Sequence, residues 1–302
     1  MIVALTGATG FVGKATVDAL LGQGHEMRAL ARRPQPPGAV EWVMGDLADH
    51  AALARLVDGV EAVLHIAGVV NAPDRQGFED GNVRGTLELV EAAVAAGVPR
   101  FIFVSSLAAR EPGLSDYGES KARAEKIVAA SGLDWTTVRP PAIYGPHDRE
   151  MFELFRAARW GVVPMPPEGG RASIIHVADL ARLLVALLPE DEIVSQRIFE
   201  VDDGRPGGWA HGELARAIGR ALGRKVWVPH LSRQTLDRVA RWDRWWRKSG
   251  AKLTADRVSY MTHPDWVADP PRAVPAHLWR AQVDTMAGLQ ATAQWYRAEG
   301  WL

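Results

Sequence analysis

The sequence predicts an α/β fold in which a parallel β-sheet carries helices on both faces, a doubly wound arrangement followed by a smaller C-terminal lobe. Short, mostly apolar runs alternate with longer helical patterns over the first two thirds of the 302 residues. Most of these runs lack the polar alternation of a half-exposed strand, as expected where both faces of a sheet are covered. A glycine-rich turn also joins the first run to the first helical pattern.

The elements of the sheet domain follow one another in a regular order. Each predicted strand is a short apolar run, and each predicted helix repeats apolar residues at spacings of three and four. The predicted strands are 2–6, 26–31, 41–44, 62–66, 101–105 and 135–139, and the predicted helices are 11–21, 51–57, 81–96 and 117–130.

The alternation of predicted strands and helices ends after residue 139, where Pro and Gly become frequent. One further strand, at 173–176, and one further helix, at 177–188, are predicted after this point. The remaining chain is predicted to form helices and loops. We therefore expect two parts. The sheet domain would comprise 1–144 and 171–194, and a substrate-binding lobe would comprise 145–170 and 195–302.

Composition excludes several classes of protein. The formal net charge is −1, which argues against a nucleic-acid-binding protein. There are no cysteines, so neither a disulfide framework nor thiolate chemistry is possible, and His147, His211 and His263 show no metal-ligand spacing. The chain enters an apolar strand directly, and no stretch approaches the roughly 20 apolar residues of a membrane span. We expect a cytoplasmic protein with no metal, acting on a small-molecule substrate.

The glycine-rich turn has the spacing of a dinucleotide-binding loop. Gly7 permits a sharp turn, Gly10 lets the backbone approach a pyrophosphate, and Gly13 lets the helix pack on the strand. The N-terminus of the helix favours the anion. The residues expected to contact the cofactor here are Gly7, Thr9, Gly10, Phe11, Val12 and Gly13.

The end of the second strand indicates which dinucleotide is bound. NAD-binding versions of the fold place an acid there for the ribose 2′-hydroxyl. Here the strand ends in Arg32 and Arg33, whose guanidinium groups suit a 2′-phosphate. We therefore expect NADP, with Arg32 favoured over Arg33, and keep NAD as the alternative. One or both arginines could instead be solvated loop charges.

Several ordered motifs resemble those of the extended short-chain dehydrogenase/reductase family, which contains nucleotide-sugar epimerases and dehydratases, 3β-hydroxysteroid dehydrogenases and dihydroflavonol reductases. They are TGxxGxxG at 6–13, GDL at 45–47, HxAG at 65–68, YxxSK at 117–121 and RPxxxYGP at 139–146. The resemblance implies a Rossmann fold and a nicotinamide cofactor. It also implies cofactor contacts from Asp46, Leu47, Ala67, Gly68, Tyr117, Lys121, Pro140 and Ile143.

Ser106, Tyr117 and Lys121 are the candidate catalytic residues. Tyr117 and Lys121 are four residues apart and share one face of a helix. A nearby ammonium lowers the pKa of a phenol, which prepares Tyr117 to exchange a proton with the substrate oxygen. Ser106 would orient that oxygen, with Ser105 as the neighbouring alternative. By the resemblance, Lys121 also binds the nicotinamide ribose.

These observations predict an NADP(H)-dependent oxidoreductase acting on a ketone, an aldehyde or a secondary alcohol of an apolar molecule. One alternative is a nucleotide-sugar epimerase or dehydratase with tightly bound NAD. Such members often carry an Arg four residues before the His of a late motif, which is IHVxD at 175–179 here, whereas Arg171 lies five before His176. The other alternative is a non-catalytic, cofactor-binding regulatory protein. The resemblance further suggests a homodimer formed through the helices at 81–96 and 117–130.

The C-terminal lobe is rich in tryptophan, and its segment 233–248 combines Trp with Arg. Leu236, Val239, Trp242 and Trp246 recur at helical spacing, which favours an amphipathic helix whose aromatic stripe packs on the core. A flap over the substrate and a helix lying on a membrane surface are alternatives. Further upstream, Asp148, Glu150 and Glu153 are expected to form a solvated helix start.

Overall fold

The computed structural model describes residues 1–247 and 255–302, which divide into two compact units. The first unit consists of Met1–Arg139, Leu180–Glu200 and Val274–Trp279. The second consists of Pro140–Asp179, Val201–Ala273 and Arg280–Leu302. Among the helices that the structure describes, none combines the length and apolar composition needed to cross a bilayer.

The strands of the described residues are β1 (Ile2–Thr6), β2 (Glu26–Ala31), β3 (Val40–Met44), β4 (Ala62–His65), β5 (Arg100–Val104), β6 (Asp134–Arg139), β7 (Ala142–Tyr144), β8 (Arg171–Ala172), β9 (Ile174–His176), β10 (Arg197–Glu200), β11 (Trp209–Ala210) and β12 (Asp265–Trp266). The α-helices are α1 (Phe11–Gly22), α2 (His50–Val57), α3 (Arg75–Phe78), α4 (Gly85–Ala95), α5 (Asp116–Ala129), α6 (Phe152–Arg159), α7 (Val177–Ala186), α8 (His211–Ala221), α9 (Arg233–Arg247), α10 (Ala255–Met261) and α11 (Thr285–Ala298).

The first unit is built on a seven-stranded sheet in the order β10-β6-β5-β4-β1-β2-β3, and every pairing is parallel. The order reverses between β1 and β4, which makes their carboxyl ends a topological switch point where doubly wound sheets bind ligands. The core includes Leu53, Leu56, Leu89, Phe101 and Phe103, all fully buried. The predicted Rossmann-type α/β fold is confirmed.

The structure corrects the expected domain boundary at residue 194 and adds a strand that the sequence did not predict. The sequence placed everything after residue 194 in the smaller lobe, yet β10 pairs with β6 at the edge of the main sheet. Its four residues follow an acidic loop and begin with an exposed Arg197, so the apolar signal is short. Conversely, β7 and β9 pair with each other within the second unit.

The second unit has its own core. It forms where α6, α8 and α11 pack together, and it contains Phe155, Ile218, Leu289 and Tyr296. Strands β11, β8 and β12 form a small separate sheet.

The structure corrects the expectation for the Trp-rich helix. Leu236 and Ala240 of α9 are buried against Val258, whereas Trp242 and Trp246 lie on an exposed face. Most of the surface of these two indole rings is therefore exposed, whereas the sequence favoured an aromatic stripe packed on the core. Lys248, which the sequence included in this helix, lies outside the described residues.

Candidate cofactor and catalytic site

The glycine-rich turn adopts a conformation that requires glycine at two of its three positions. Gly7 has a φ of 79°, and a Cβ there would lie 2.7 Å from the backbone nitrogen of Ala67. A Cβ on Gly13 would lie 2.0 Å from the carbonyl oxygen of Gly7. Gly10 is the N-cap residue of α1, and it has no side chain that could bond the first backbone N–H groups of the helix. These N–H groups are therefore available to bind an anion.

Both arginines at the end of β2 are exposed. Within the described residues, neither the Arg32 nor the Arg33 side chain forms an ion pair. Arg28, which lies within β2, instead donates hydrogen bonds to the carbonyl oxygens of Arg55 and Asp58. Two guanidinium groups are therefore available at the carboxyl edge of the sheet, where a ribose phosphate would need them.

The loops after β3 and β4 reach the same carboxyl edge of the sheet. Asp46 is exposed, and one of its carboxylate oxygens accepts a hydrogen bond from the N–H of Ala48 at 2.9 Å. Leu47 packs against Gly85 at the start of α4, where a Cβ would meet its side chain at 2.7 Å. The backbone of Ala67 donates to Thr6 Oγ1 at 3.3 Å, which joins the loop after β4 to the end of β1.

Lys121 is a buried ammonium beneath the end of β5. It is only 4% exposed, its Nζ donates to the carbonyl oxygen of Val104 at 2.8 Å, and it lies 4.4 Å from the centre of the Phe103 ring. Burial lowers the pKa of Lys121 to about 8, and the negative charge of Glu125 opposes this shift. A Cβ on Gly68 would lie 3.6 Å from this Nζ, so the ammonium lies against the loop after β4.

Tyr117 and Ser106 lie on two segments that pack together. Ser106 is half-buried, and its Oγ accepts a hydrogen bond from the N–H of Ala108 at 3.2 Å, which begins a 3₁₀ helix at Leu107–Arg110. Gly118, next to the half-buried Tyr117, fits closely against the carbonyl of Ala108, since a Cβ would lie 2.7 Å from that oxygen. The first turn of α5 is thereby held against the loop that carries Ser106.

Ser105 has a different environment. Its Oγ donates to the Glu125 carboxylate at 2.5 Å, and Arg139 holds the same carboxylate through two hydrogen bonds of 2.8 and 2.6 Å. Arg139 also contacts Glu200 at 3.2 Å, and Arg110 reaches Glu200 at 3.4 Å. Burial alone would lower the pKa of Arg139, but its bonds to the two carboxylates raise it.

Sequence reasoning missed this buried network. It links α5 to the ends of β5, β6 and β10, and so fixes the segment from which Ser106 projects. The signal available was the position of Glu125 one helical turn after Lys121, since residues four apart share a helix face.

Asn82 and His65 are both held by hydrogen bonds to neighbouring protein groups. Asn82 lies in a π-helical segment, Glu79–Arg84, and its amide bonds the backbone of Val69 and the hydroxyl of Ser120. His65 is fully buried between the hydroxyls of Thr6 and Thr86. Burial, with a smaller effect of the Lys121 charge, lowers the pKa of His65 to about 3, so this ring is neutral at physiological pH.

The remaining predicted contacts belong to the second unit. Pro140 is buried, and Ile143 is half-buried in β7, where it pairs with Ile175 of β9. Asp148, expected to be solvated, is only 2% exposed, and its carboxylate accepts the N–H groups of Glu150 and Met151. Burial raises the pKa of Asp148 to about 6. Across the described residues, no group of three or more His, Asp or Glu side chains is placed to hold a metal ion.

Comparison with known proteins identifies the class of protein that this fold and site define. A family model described as NAD(P)H-binding matches residues 7–191. The chain is 39% identical over 313 residues to a ceramide reductase of Caulobacter vibrioides, covering 100% of this chain and 96% of that protein. It is 30% identical over 262 residues to a 3-beta-hydroxysteroid dehydrogenase of Mycolicibacterium neoaurum, covering 74% of this chain and 71% of the relative. These matches define an NAD(P)-dependent oxidoreductase. The chain belongs to the extended short-chain dehydrogenase/reductase family.

Solved structures agree at the level of the fold. UDP-glucose 4-epimerase of Thermus thermophilus, in complex with NAD, superimposes with a TM-score of 0.73 at 21% identity, covering 98% of this chain and 99% of that one. UDP-glucuronic acid 4-epimerase of Bacillus cereus gives 0.77 at 16% identity, covering 99% and 100%. At such identities the likeness establishes the architecture and leaves the substrate open.

Proposed function

We propose that this chain is an NADP(H)-dependent reductase that converts a ketone of an apolar lipid into a secondary alcohol. The observation that carries the proposal is the buried Lys121 ammonium, which lies one helical turn after Tyr117. The same unit contains the glycine-rich turn, whose conformation suits a pyrophosphate. A charge buried at this cost is the kind of group that active sites keep for chemistry.

Each side chain has a distinct role in the proposed reaction. The cofactor, when bound, supplies the hydride. Lys121 is mainly protonated at neutral pH because its pKa is about 8, and its charge favours the Tyr117 phenolate. Tyr117 then donates its proton to the substrate oxygen as a new C–H bond forms at the carbonyl carbon. Ser106 orients that oxygen; the bond between Ser105 and Glu125 supports assigning this role to Ser106.

The preference for NADP is supported by Arg32 and Arg33. No acid stands at the end of β2 to bond a ribose 2′-hydroxyl. Both guanidinium groups are exposed, and a planar bidentate donor matches the geometry of a phosphate. We assign the 2′-phosphate contact to Arg32 first.

The substrate class is inferred from the full-length relative named ceramide reductase. A ceramide is an N-acylated sphingoid base with a secondary alcohol on its backbone. A site that exchanges a secondary alcohol with a ketone would therefore act on the corresponding keto lipid. The relative named 3-beta-hydroxysteroid dehydrogenase points to the same functional group on another apolar skeleton.

The two alternative functions have less support. Arg171, the candidate for holding a nucleotide-sugar diphosphate, is committed to the carbonyl oxygens of Gly207 and Gly208. A non-catalytic, cofactor-binding role is disfavoured because Ser106, Tyr117 and Lys121 are all present.

A homodimer through α4 and α5 is a further proposal. Leu87 and Val94 are seven residues apart on α4, so they share one face, and both are exposed. Sedimentation velocity of the purified protein tests this proposal, and a single monomeric species at micromolar concentration would refute it.

The proposed activity is tested with NADPH and a ketone-bearing N-acyl sphingoid base in detergent micelles. We expect one NADPH to be oxidised for each secondary alcohol formed, and a slower reaction with NADH. Turnover of a UDP-sugar without net consumption of cofactor would instead establish the epimerase alternative.

A further inference from the structure

Helix α9 has two apolar faces on different sides. On one side Leu236 and Ala240 are buried and pack with Val258 of α10. On the other side Val239, Trp242 and Trp246 are spaced by three and four residues, which places them in one row. Trp242 is 73% exposed and Trp246 is 74% exposed. The inward face packs on α10, whereas the two tryptophans expose most of their surface.

The exposed row is accompanied by positive charge. Arg238 and Arg241 are exposed on the same helix. Five arginines and two aspartates occur between residues 233 and 247, so the helix is basic overall. A surface that pairs exposed indole rings with guanidinium groups is complementary to one that offers both apolar matter and negative charge.

We propose that this face of α9 docks the protein on the surface of an anionic lipid bilayer, with the helix axis parallel to that surface. The indole rings would enter the boundary between headgroups and acyl chains, where an amphipathic ring is favoured. The arginines would remain at the level of the lipid phosphates, with their aliphatic stems along the apolar layer.

An anionic bilayer suits this face better than a second copy of the chain. A symmetric pairing of two α9 helices would place two basic helices against each other, and like charges repel. The docking proposal goes beyond the proposed function, since it needs neither the cofactor nor a particular substrate.

The test is co-sedimentation of the purified protein with vesicles, without cofactor or substrate. Vesicles of phosphatidylcholine alone are compared with vesicles in which about a third of the lipid is phosphatidylglycerol. We expect binding to the anionic vesicles only, a blue shift of tryptophan emission on binding, and weaker binding as salt rises from about 0.1 to about 0.5 M. Replacement of Arg238 and Arg241 by Glu should abolish the preference for anionic vesicles.

A matched pair of double variants locates the contact. Trp242→Ala with Trp246→Ala should weaken vesicle partitioning on the order of tenfold or more, because two large apolar contacts are lost. Trp160→Ala with Trp227→Ala removes two indoles from the same unit, 78% and 68% exposed, and should leave partitioning unchanged. All four residues are exposed, so both variants should fold, which circular dichroism checks.

Three results would overturn the proposal. They are equal binding of neutral and anionic vesicles, equal losses in the two double variants, and a protein that ignores vesicles but dimerises through the α9 face. The last result would identify a second copy as the partner. Failure of vesicle binding leaves the reductase assay unaffected, so the docking proposal and the proposed function are tested separately.

Discussion

At the scale of the residue, Lys121 is an ammonium whose burial opposes its charged form. Within the described part of the chain, its Nζ makes one hydrogen bond, to the Val104 carbonyl, and it is otherwise surrounded by protein. Burial holds its pKa near 8, below the ordinary value of 10.5. The unfolded chain therefore binds more protons than the folded chain between these two values, and the fold gains stability as pH rises through that window.

Lys121→Met should remove this dependence on pH. We expect the free energy of unfolding of the variant, relative to the parent, to decrease as pH rises from about 8 to about 10, by at most about 1.4 kcal/mol per pH unit. Urea denaturation of cofactor-free protein at several pH values measures it. Lys126→Met, an exposed position on the same helix, is the control and should show no such trend. A flat difference for Lys121→Met would mean that the ammonium is not destabilised by burial.

Arg32 is the residue expected to select the cofactor. Arg32→Asp replaces a phosphate-binding charge with an acid able to bond a ribose 2′-hydroxyl, so the ratio of NADPH to NADH affinity should fall on the order of 100-fold. Quenching of tryptophan fluorescence by each cofactor measures the ratio. Arg224→Asp makes the same charge change at an exposed position in the second unit and should leave the ratio unchanged. An unaltered preference in Arg32→Asp would refute the 2′-phosphate assignment.

At the scale of the element, the predictions succeeded where one local pattern decides the structure. Strands β1 and β2 begin and end at the predicted residues, because each is an apolar run bounded by turn residues. The helix predicted over 81–96 is instead a π-helical segment followed by α4, and Asn82 bonds Val69 from within the irregular part. The π-helical distortion depends on the bond between Asn82 and Val69, which lies 13 residues earlier in the chain. The spacing of apolar residues does not predict such a bond.

Helix α1 allows a paired test of the glycine turn. Gly13→Ala would place a Cβ 2.0 Å from the Gly7 carbonyl oxygen, so either the turn or the helix must shift. We expect a loss of stability of about 2 kcal/mol or more, and weakened binding of both NADPH and NADH. Gly22→Ala, at the other end of α1, meets nothing within 4 Å and should be neutral or stabilising by up to about 1 kcal/mol. Similar effects of both changes would contradict a specific role for the turn.

At the scale of the whole molecule, the two units differed in how far the sequence predicted them. The first unit contains the glycine-rich turn, the arginines after β2 and the Tyr117–Lys121 pair. In this unit the motifs occur along the chain in the same order as the strands that precede them. The second unit gathers three separate stretches of chain, and contacts such as Tyr296 with the backbone of Asp148 join residues far apart in sequence. Such pairings arise from tertiary packing, so the burial of Asp148 and the exposure of Trp242 were not predictable from local composition.

Hydride transfer from the cofactor to the substrate is tested most directly by following the transferred hydrogen. NADPH with deuterium in place of both hydrogens at C4 of its nicotinamide is incubated with a keto lipid, and the product is analysed by mass spectrometry. We predict one deuterium on the carbon that bears the new hydroxyl group. Tyr117→Phe should bind NADPH with nearly unchanged affinity yet form product about 100-fold or more slowly. Product without deuterium, or an equal rate in Tyr117→Phe, would contradict hydride transfer coupled to proton donation by Tyr117.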